Sequence, residues 1–451
     1  MNNCIAVVLA GGKGTRMKSD LPKVLHPLAG WPMAKYVIES VREAGAVRTI
    51  IVVGHEGRQV RDALGKEVEY VEQSPQLGTA HAVLQARGLL DGWSGDLLVL
   101  CGDTPLIGSL TLSDLLSRHR SSGAAVTMLT GMGGYRQGAG RIRRAADGSV
   151  AGIVEEKEAT DSELHIDEWN TGVYCFRAPW LWGLLDALPV HPNGEYYLTD
   201  LVELAVSSGT RVESVAVSEP AECLGVNSRV ELALAESTLR QRIRERLMLA
   251  GVTLIDPATT YVDSSVSMAS DTVVYPNSFL LGSTKVGRNC IIGPDTQISN
   301  STIGDECLIR RSVVEEAVLE AGIDVGPFSH IRPGVYLESG VHVGNFVELK
   351  SSRLGRGTKV GHFSYVGDAQ IGQDVNIGAG TITANYDGQA KHQTIVEDGA
   401  FVGSDSTLVA PVRIGAGATT GAGSVVTKDV PSDTVAYGIP ARIQRRKSRG
   451  E

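Results

Sequence analysis

The stretch VGPFSHIRPGVYLESGVHVGNFVELKSSRLGRGTKVGHFSYVGDAQIGQDVNI, residues 325–377, counts in sixes. Val325, Ile331, Leu337, Val343 and Leu349 stand six apart. After a five-residue step come Leu354, Val360 and Val366, and after another come Ile371 and Ile377. Glycine follows many of these aliphatics, as at Gly326, Gly344, Gly355, Gly361, Gly367, Gly372 and Gly378. A period of six fits neither an amphipathic helix nor an alternating strand; it is the mark of a parallel β-helix. Each hexad forms one short face of a triangular coil. The aliphatic side chain points inward, and the glycine turns the corner where a Cβ would be crowded or φ positive.

The hexads begin irregularly after Val266, through Val286, Ile292, Ile298 and Ile303. They break at NYDGQAKHQ, 385–393, and resume at Val402, Leu408, Ile414, Thr420 and Val426. A loop thrown out of such a coil is a candidate functional segment. By itself the array serves a spacer as well as a catalyst.

The 451 residues are too many for one ordinary core. The first half alternates apolar strands with helices: strands at 4–10 (CIAVVLA), 48–53, 68–71, 96–101 (DLLVLC) and 124–129, helices at 33–44, 79–90 and 109–121. That order predicts a mostly parallel sheet covered on both faces, with ligands beyond the carboxyl ends of its strands. Further strands are expected near 140–142, 150–155, 171–176 and 211–217, with a helix at 197–208. A helical stripe through Leu232, Leu239, Ile243 and Leu247 joins the halves and stops at Gly251. The domains are thus read as 1–228, a helical linker 229–250, and 251–451.

A net charge of -9 argues against general nucleic-acid binding, which needs a basic face. The basic run 442–449 reads as a solvated end. Six cysteines without CxxC or zinc-like spacing fit reduced thiols in a cytoplasmic protein. No apolar run is long enough to span a membrane, and 4–10 is too short for a signal-peptide core.

After the first strand comes LAGGKGTRM, 9–17, then LPKVL, 21–25. A glycine-rich turn there exposes backbone N–H groups that can cradle phosphate. It lacks the third glycine of a dinucleotide fingerprint and the GK[ST] of a P-loop. It adds two cations, Arg16 and Lys23, suited to a triphosphate.

Glycines, Arg16 and LPKVL together resemble the sugar-phosphate nucleotidylyltransferases. With QLGTAHAV, GDTPL, NTGVY, GEYYLTD, GVNSR, VGNFVELK, GHFSYVGDAQIG, NIGAGTITANYDG and FVGSD in this order, nearly the whole chain resembles the bifunctional N-acetylglucosamine-1-phosphate uridylyltransferase/glucosamine-1-phosphate acetyltransferase family. The resemblance implies a Rossmann-like α/β nucleotidyltransferase domain followed by a left-handed parallel β-helix, assembled as a homotrimer. Leu9, Ala10, Gly11 and Gly12 would hold the nucleotide, with Arg16 and Lys23 on its phosphates and Gln73, Gly78 and Thr79 on the uracil. Gln73 would supply both amide donor and acceptor. Asp103 and Asn227 would bind Mg²⁺, and Gly140, Glu155 and Asn170 the sugar. Cys101 stands where the family often has an aromatic residue.

In the second half the resemblance makes His362 the general base that acetyl transfer to an amine needs, oriented by Glu348. Arg332 and Lys350 would meet the sugar phosphate, Tyr365 and Asn376 the sugar, with Asn385 and Tyr386 in the protruding loop. Ala379, Ser404 and Ala422 would touch acetyl-CoA, joined near the C-terminus by Ile439 or Arg442. The implied sequence of reactions acetylates glucosamine 1-phosphate, then joins the product to UTP, feeding peptidoglycan and lipopolysaccharide precursors. Two other readings stay open: a β-helix used only for assembly, and a scaffold that has lost catalysis.

Overall fold

The computed structural model describes residues 4–134 and 138–446; Lys447 and Arg449 of the basic run lie outside them. The chain forms two compact units, Met1–Leu239 and Arg240–Glu451.

In the first unit the sheet runs Val212–Ala216, Val126–Met132, Glu168–Arg177, Asp96–Cys101, Cys4–Ala10, Ala46–Val53, Glu69–Glu72. All neighbours are parallel except Glu168–Arg177, which is antiparallel to both its partners. A hairpin of Arg141–Arg144 and Val150–Val154 hangs from that strand. Period-two alternation sends Ile5, Val7, Ile50, Val52, Leu97 and Val99 into one core. Cys4, Ala6, Val8, Ile51, Val53, Leu98 and Leu100 go into the other. Both faces are therefore apolar, and helices cover both: Met33–Glu43 and Ser109–Ser122 through Val37, Val41, Leu112 and Leu115, Ala178–Leu185 and Asp200–Ser207 through Leu181 and Leu201.

Two expected helices differ. The one at 79–90 ends at Leu84 and resumes as a 3-10 turn, Arg87–Leu90. The one expected from Tyr197 begins only at Asp200, because the backbone of Tyr196 and Leu198 is bonded to Leu77, Thr79 and Ala80 instead. The joining helix runs Arg229–Leu249. Among the described residues no helix is long and apolar enough to cross a membrane.

The second unit is a left-handed parallel β-helix with, among the described residues, three sheets of 12, 10 and 9 short strands. The hexad aliphatics form its core: Val325, Ile331, Leu337, Val343, Leu349, Leu354 and Val360 are each 0% exposed. The register steps Val343↔Val360↔Ile377↔Val402, so the last of these coils is lengthened by the loop 385–393. That loop closes on itself through a bridge between Tyr386 and Lys391.

The corners bear out the crowding half of that expectation. Most of the glycines after the aliphatics are needed for space; of the seven, Gly326 alone has a positive φ (103°), and a Cβ on Gly361 would meet nothing within 4 Å. A Cβ on Gly355 would lie 2.5 Å from the carbonyl carbon of Gly372, and one on Gly378 2.5 Å from Ser404 N. Positive φ angles fall on larger residues as well as on glycines, among them Phe346 (57°), Ser351 (46°), Phe363 (48°) and Asp368 (49°). Residues 442–446 are exposed, as a solvated end would be, yet Ala441–Arg446 is ordered into a strand that pairs antiparallel with Thr434–Gly438 at the end of the 12-stranded sheet.

Candidate active sites

Past Ala10 the chain turns through Gly11 and Gly12 into a 3-10 turn, Thr15–Met17, entered at Gly14 with φ 59°. A Cβ on Gly14 would come within 2.7 Å of Lys23 Cβ. That close approach presses Lys23 against the loop. The Lys23 ammonium then bonds the Asp103 carboxylate and, at 3.0 Å, Asn227 Oδ1. Asp103 leaves the strand Asp96–Cys101, whose end is tied to the first strand by Gly102 N donating to Leu9 O. Val226 N donates to Asp103 O at 2.9 Å and brings in Asn227, whose N–H and that of Ser228 both bond Glu231 Oε2. Three distant segments thus meet at the carboxyl edge of the sheet, where a parallel sheet places ligands.

A cavity of about 350 Å³ opens there, lined by Leu9, Ala10, Gly11, Gly12, Lys23, Gln73, Gly78, Thr79 and Asp103. Arg16 is exposed and lines a wider neighbouring cleft with Asp103, Gly140, Asn170 and Asn227. Gln73 is 7% exposed, and its amide nitrogen bonds Gly78 O at 2.9 Å and faces His81 Nδ1 at 3.2 Å. Its donors are thus engaged within the protein, and only its carbonyl is left for a ligand, in place of the donor and acceptor expected of it. Gln76, which the motif reading passed over, lines the same cavity and donates to Gly11 O.

A second cavity, about 380 Å³, joins Leu9, Thr79, Cys101, Glu155, Asn170, Tyr197 and Thr199. Gly140 O accepts from Asn170 N at 2.9 Å, and a Cβ on Gly140 would strike Ile153 at 2.8 Å. Glu155 is held above the usual carboxylate range, chiefly by burial, while the Thr199 hydroxyl donating to Oε1 at 2.9 Å pulls the other way. Burial likewise pushes the Cys101 thiol up to about 12, so it is no nucleophile.

In the second unit, register alone assembles a column. Val360↔Ile377↔Val402↔Thr420 pair in successive coils. His362, Ala379, Ser404 and Ala422 each lie two residues further on, so all four fall at one corner, one above another. His362 is exposed, and Asn345 Oδ1, one coil below, accepts its Nδ1 proton at 2.6 Å. That leaves the Nε2 lone pair facing outward.

The expected pairing of Glu348 with His362 is not formed within the chain. Glu348 lies on the 10-stranded sheet, where Arg332 Nη1 donates to it at 2.6 Å; His362 closes a strand of the 12-stranded sheet. The same middle sheet carries Tyr365, in register with Glu348, and Lys350. Lys391, missed in the sequence because it sits inside the loop, faces Lys350 closely enough to lower its pKa. Asn385 is 8% exposed and donates to Asp368, with Tyr365 Oη 3.5 Å away. Tyr386 stands out of the loop, 61% exposed. Asn376 lies on the 12-stranded sheet, away from Tyr365. Among the described residues the Arg442 guanidinium donates to its neighbour's carbonyl, Ala441 O; Arg442 is exposed and Ile439 is 78% exposed.

Residues 6–248 match the MobA-like NTP transferase domain, and 393–428 the hexapeptide repeat of succinyl-transferase. The bifunctional protein GlmU of Exiguobacterium sibiricum is 48% identical over 435 residues, 96% of this chain and 97% of its own. That of Pelobacter propionicus is 46% identical over 449 residues, 99% and 98% of the two chains. A solved UDP-glucose pyrophosphorylase complexed with UDP-glucose superposes with a TM-score of 0.45 at 17% identity, over 54% of this chain and 99% of its own. With close relatives matching both halves end to end, the chain belongs to the family of the bifunctional protein GlmU.

Proposed function

We propose how the two activities of this enzyme, N-acetylglucosamine-1-phosphate uridylyl transfer and glucosamine-1-phosphate acetyl transfer, are carried by its residues. Uridylyl transfer belongs to the first unit. The observation that carries this reading is the meeting of Lys23 with Asp103 and Asn227 beside the glycine turn. Gly11 and Gly12 would offer backbone donors to the phosphates of UTP. Gln73, Gly78 and Thr79 would receive the uracil with Gln76, and Glu155, Asn170 and Gly140 the sugar.

Asp103 and Asn227 turn two oxygens on one point, which the Lys23 ammonium fills; a donor set that suits one cation suits Mg²⁺. Among the described residues no group of three His, Cys, Asp or Glu side chains could hold a metal, so Mg²⁺ would draw its other ligands from water and phosphate. When bound, it would neutralise charge on the triphosphate and the departing pyrophosphate. The phosphate of N-acetylglucosamine 1-phosphate attacks the α-phosphorus in line, and Lys23 and Arg16 steady the pyrophosphate; no protein nucleophile is needed.

Acetyl transfer belongs to the β-helix. His362 Nε2 takes the proton from the amine of glucosamine 1-phosphate as it attacks the thioester carbonyl, and returns it as the C–S bond breaks, so that coenzyme A leaves as its thiol. Arg332, Lys350 and Lys391 would meet its phosphate, and Tyr365, Glu348 and Asn376 the sugar. Ala379, Ser404 and Ala422 form a track of small residues rising from His362. Three coils at about 4.8 Å each span roughly 14 Å, a length suited to an extended pantetheine arm. Because Asn376 and Tyr365 stand on different sheets, the site is completed by a neighbouring copy, in a homotrimer. The six unpaired cysteines are in keeping with a reducing cytoplasm.

The test is the coupled reaction from glucosamine 1-phosphate, acetyl-CoA, UTP and Mg²⁺, following thiol and pyrophosphate together. His362→Ala abolishes thiol release and leaves pyrophosphate formation from N-acetylglucosamine 1-phosphate intact. EDTA does the reverse. UDP-sugar formation that survives EDTA would remove the metal from the first site.

A further inference from the structure

The motif GEYYLTD, 194–200, has no part in the assignments above. Yet Glu195, Tyr197, Leu198 and Thr199 all line the cavity that holds Glu155 and Asn170. Its backbone is fastened to the segment assigned to the base. Tyr196 N donates to Leu77 O at 2.9 Å, and Ala80 N to Tyr196 O at 3.1 Å. Leu198 N donates to Thr79 Oγ1 at 3.0 Å. The approach is so close that a Cβ on Gly78 (φ 95°) would lie 2.5 Å from Tyr196 O. On its other side the segment is pinned by His191, whose ring packs on Tyr197 at 4.1 Å and whose Nε2 meets Asp200 at 3.0 Å.

One residue beyond the bond to Thr79, Thr199 is 8% exposed and donates to Glu155 Oε1 at 2.9 Å. Helix Asp200–Ser207 starts directly after it and holds its backbone. The other oxygen, Oε2, faces Gly140: a Cβ there would be 3.6 Å from it. A half-buried carboxylate that keeps one oxygen on a fixed donor has a single orientation left for the second.

We propose that Thr199 is a positioning residue for uridylyl transfer, holding Glu155 Oε1 so that Oε2 accepts from a hydroxyl of the acceptor sugar, with 194–200 as the strap that sets this carboxylate relative to Gly78 and Thr79. The proposal rests on the reading of Glu155 as a sugar contact. A strap of this kind makes the sugar pocket depend on the wall of the nucleotide pocket through covalent and hydrogen-bonded links alone.

The test uses the full-length protein with UTP, N-acetylglucosamine 1-phosphate and Mg²⁺, varying each substrate in turn. Thr199→Val raises the KM for the sugar phosphate about tenfold, the range of one hydrogen bond to a charged group, and leaves the KM for UTP within about twofold. Thr199→Ser, which keeps the hydroxyl, recovers most of the loss. The pH profile supplies the readout that a merely structural role would not move. Glu155 faces Glu158, Asp200, His191, Tyr174 and Tyr197. With the hydroxyl gone, burial and the neighbouring carboxylates act unopposed by it, so the acid limb of kcat/KM for the sugar phosphate moves to higher pH in Thr199→Val only. An unchanged sugar-phosphate KM in Thr199→Val overturns the proposal, as does an equal rise in both KM values that Thr199→Ser fails to repair. Glu155→Gln separates the two layers. If it raises the sugar-phosphate KM while Thr199→Val does not, only the positioning role falls. If Glu155→Gln itself has no effect, the sugar contact falls and the proposal with it.

Discussion

Replacing Asn345 should damage acetyl transfer by a calculable amount. Its Oδ1 takes the Nδ1 proton of His362 at 2.6 Å and so keeps the lone pair on Nε2. A hydrogen bond of this kind contributes about 0.5–1.5 kcal/mol net. In Asn345→Ala that preference disappears, and the ring divides its time between tautomers and orientations. The expected loss in acetyl-transfer kcat is then roughly 2- to 12-fold, since 1.4 kcal/mol is about a factor of ten. Removing the base itself costs more, about 10²–10⁴. Asn345→Asp makes a sharper version: a carboxylate beside the ring favours the imidazolium, so the ascending limb of the pH profile moves to higher pH. Both are read from thiol release at saturating acetyl-CoA, with pyrophosphate formation as the internal control. If Asn345→Ala keeps full rate and Asn345→Asp keeps the wild-type pH profile, Asn345 does not orient the base.

The loop 385–393 should prove part of the phosphate site. Lys391→Ala raises the KM for glucosamine 1-phosphate about tenfold or more, as expected for one charge-assisted bond, and leaves the KM for acetyl-CoA unchanged in the same assay. His191 is held above its ordinary pKa chiefly by its bond to Asp200. The stability it lends is therefore complete below the usual histidine value near 6.5 and is lost as pH rises through the raised value. Denaturant midpoints of wild type and His191→Gln should differ at pH 5.5 and converge toward pH 9, within about the error of the midpoints. Gly355→Ala forces a Cβ to within 2.5 Å of the Gly372 carbonyl carbon. It should destabilise the β-helix by about 1–3 kcal/mol, the usual cost of overpacking, seen by urea unfolding. Chains carrying Asn376→Ala and Lys350→Ala, each inactive in acetyl transfer, should regain roughly a quarter of wild-type activity when refolded together at equal ratio, since random mixing in a symmetric oligomer leaves one shared site in about four intact; no recovery would place both residues in one chain's site.

The β-helix was legible because its core is strictly local. An inward aliphatic every six residues needs no knowledge of what it will meet, and Val325 through Val360 are all buried as counted. Side chains outside the prism were less legible. Glu348, which the resemblance gave as the partner of His362, stands on another sheet, and the partner of the ring comes from the coil below, at Asn345. In the first unit, the glycine turn, Lys23 and Asp103 could be read from one strand end each. Thr199 could not. The helix is expected to begin at Tyr197, and the bonds of Tyr196 and Leu198 to Leu77, Thr79 and Ala80, some 120 residues away in the chain, hold its start back to Asp200. A long-range hydrogen bond leaves no periodicity behind, so pattern reading passes over it.

The two sites differ because their scaffolds differ in curvature. A parallel α/β sheet ends in a crevice, and loops from Gly11, Gln73, Asp103 and Glu155 line its cavities within one chain. A triangular prism has flat faces and convex corners, and regular coils enclose nothing. Substrate can be surrounded there only by something added to the prism. The chain supplies one addition itself, the loop 385–393, which sets Lys391 over Lys350. That loop springs from the corner between the 10- and 9-stranded sheets, while His362, Ala379, Ser404 and Ala422 run up another corner and Asn376 lies beside them on the 12-stranded sheet. No single convex surface turns these toward one ligand. A neighbouring prism set against the corner would make the missing concave wall, and it would do so at every coil of the small-residue track at once. On this argument the assembly of the β-helix and its acetyl chemistry are one requirement: a change that separates the prisms should silence thiol release and leave the crevice of the first unit at work.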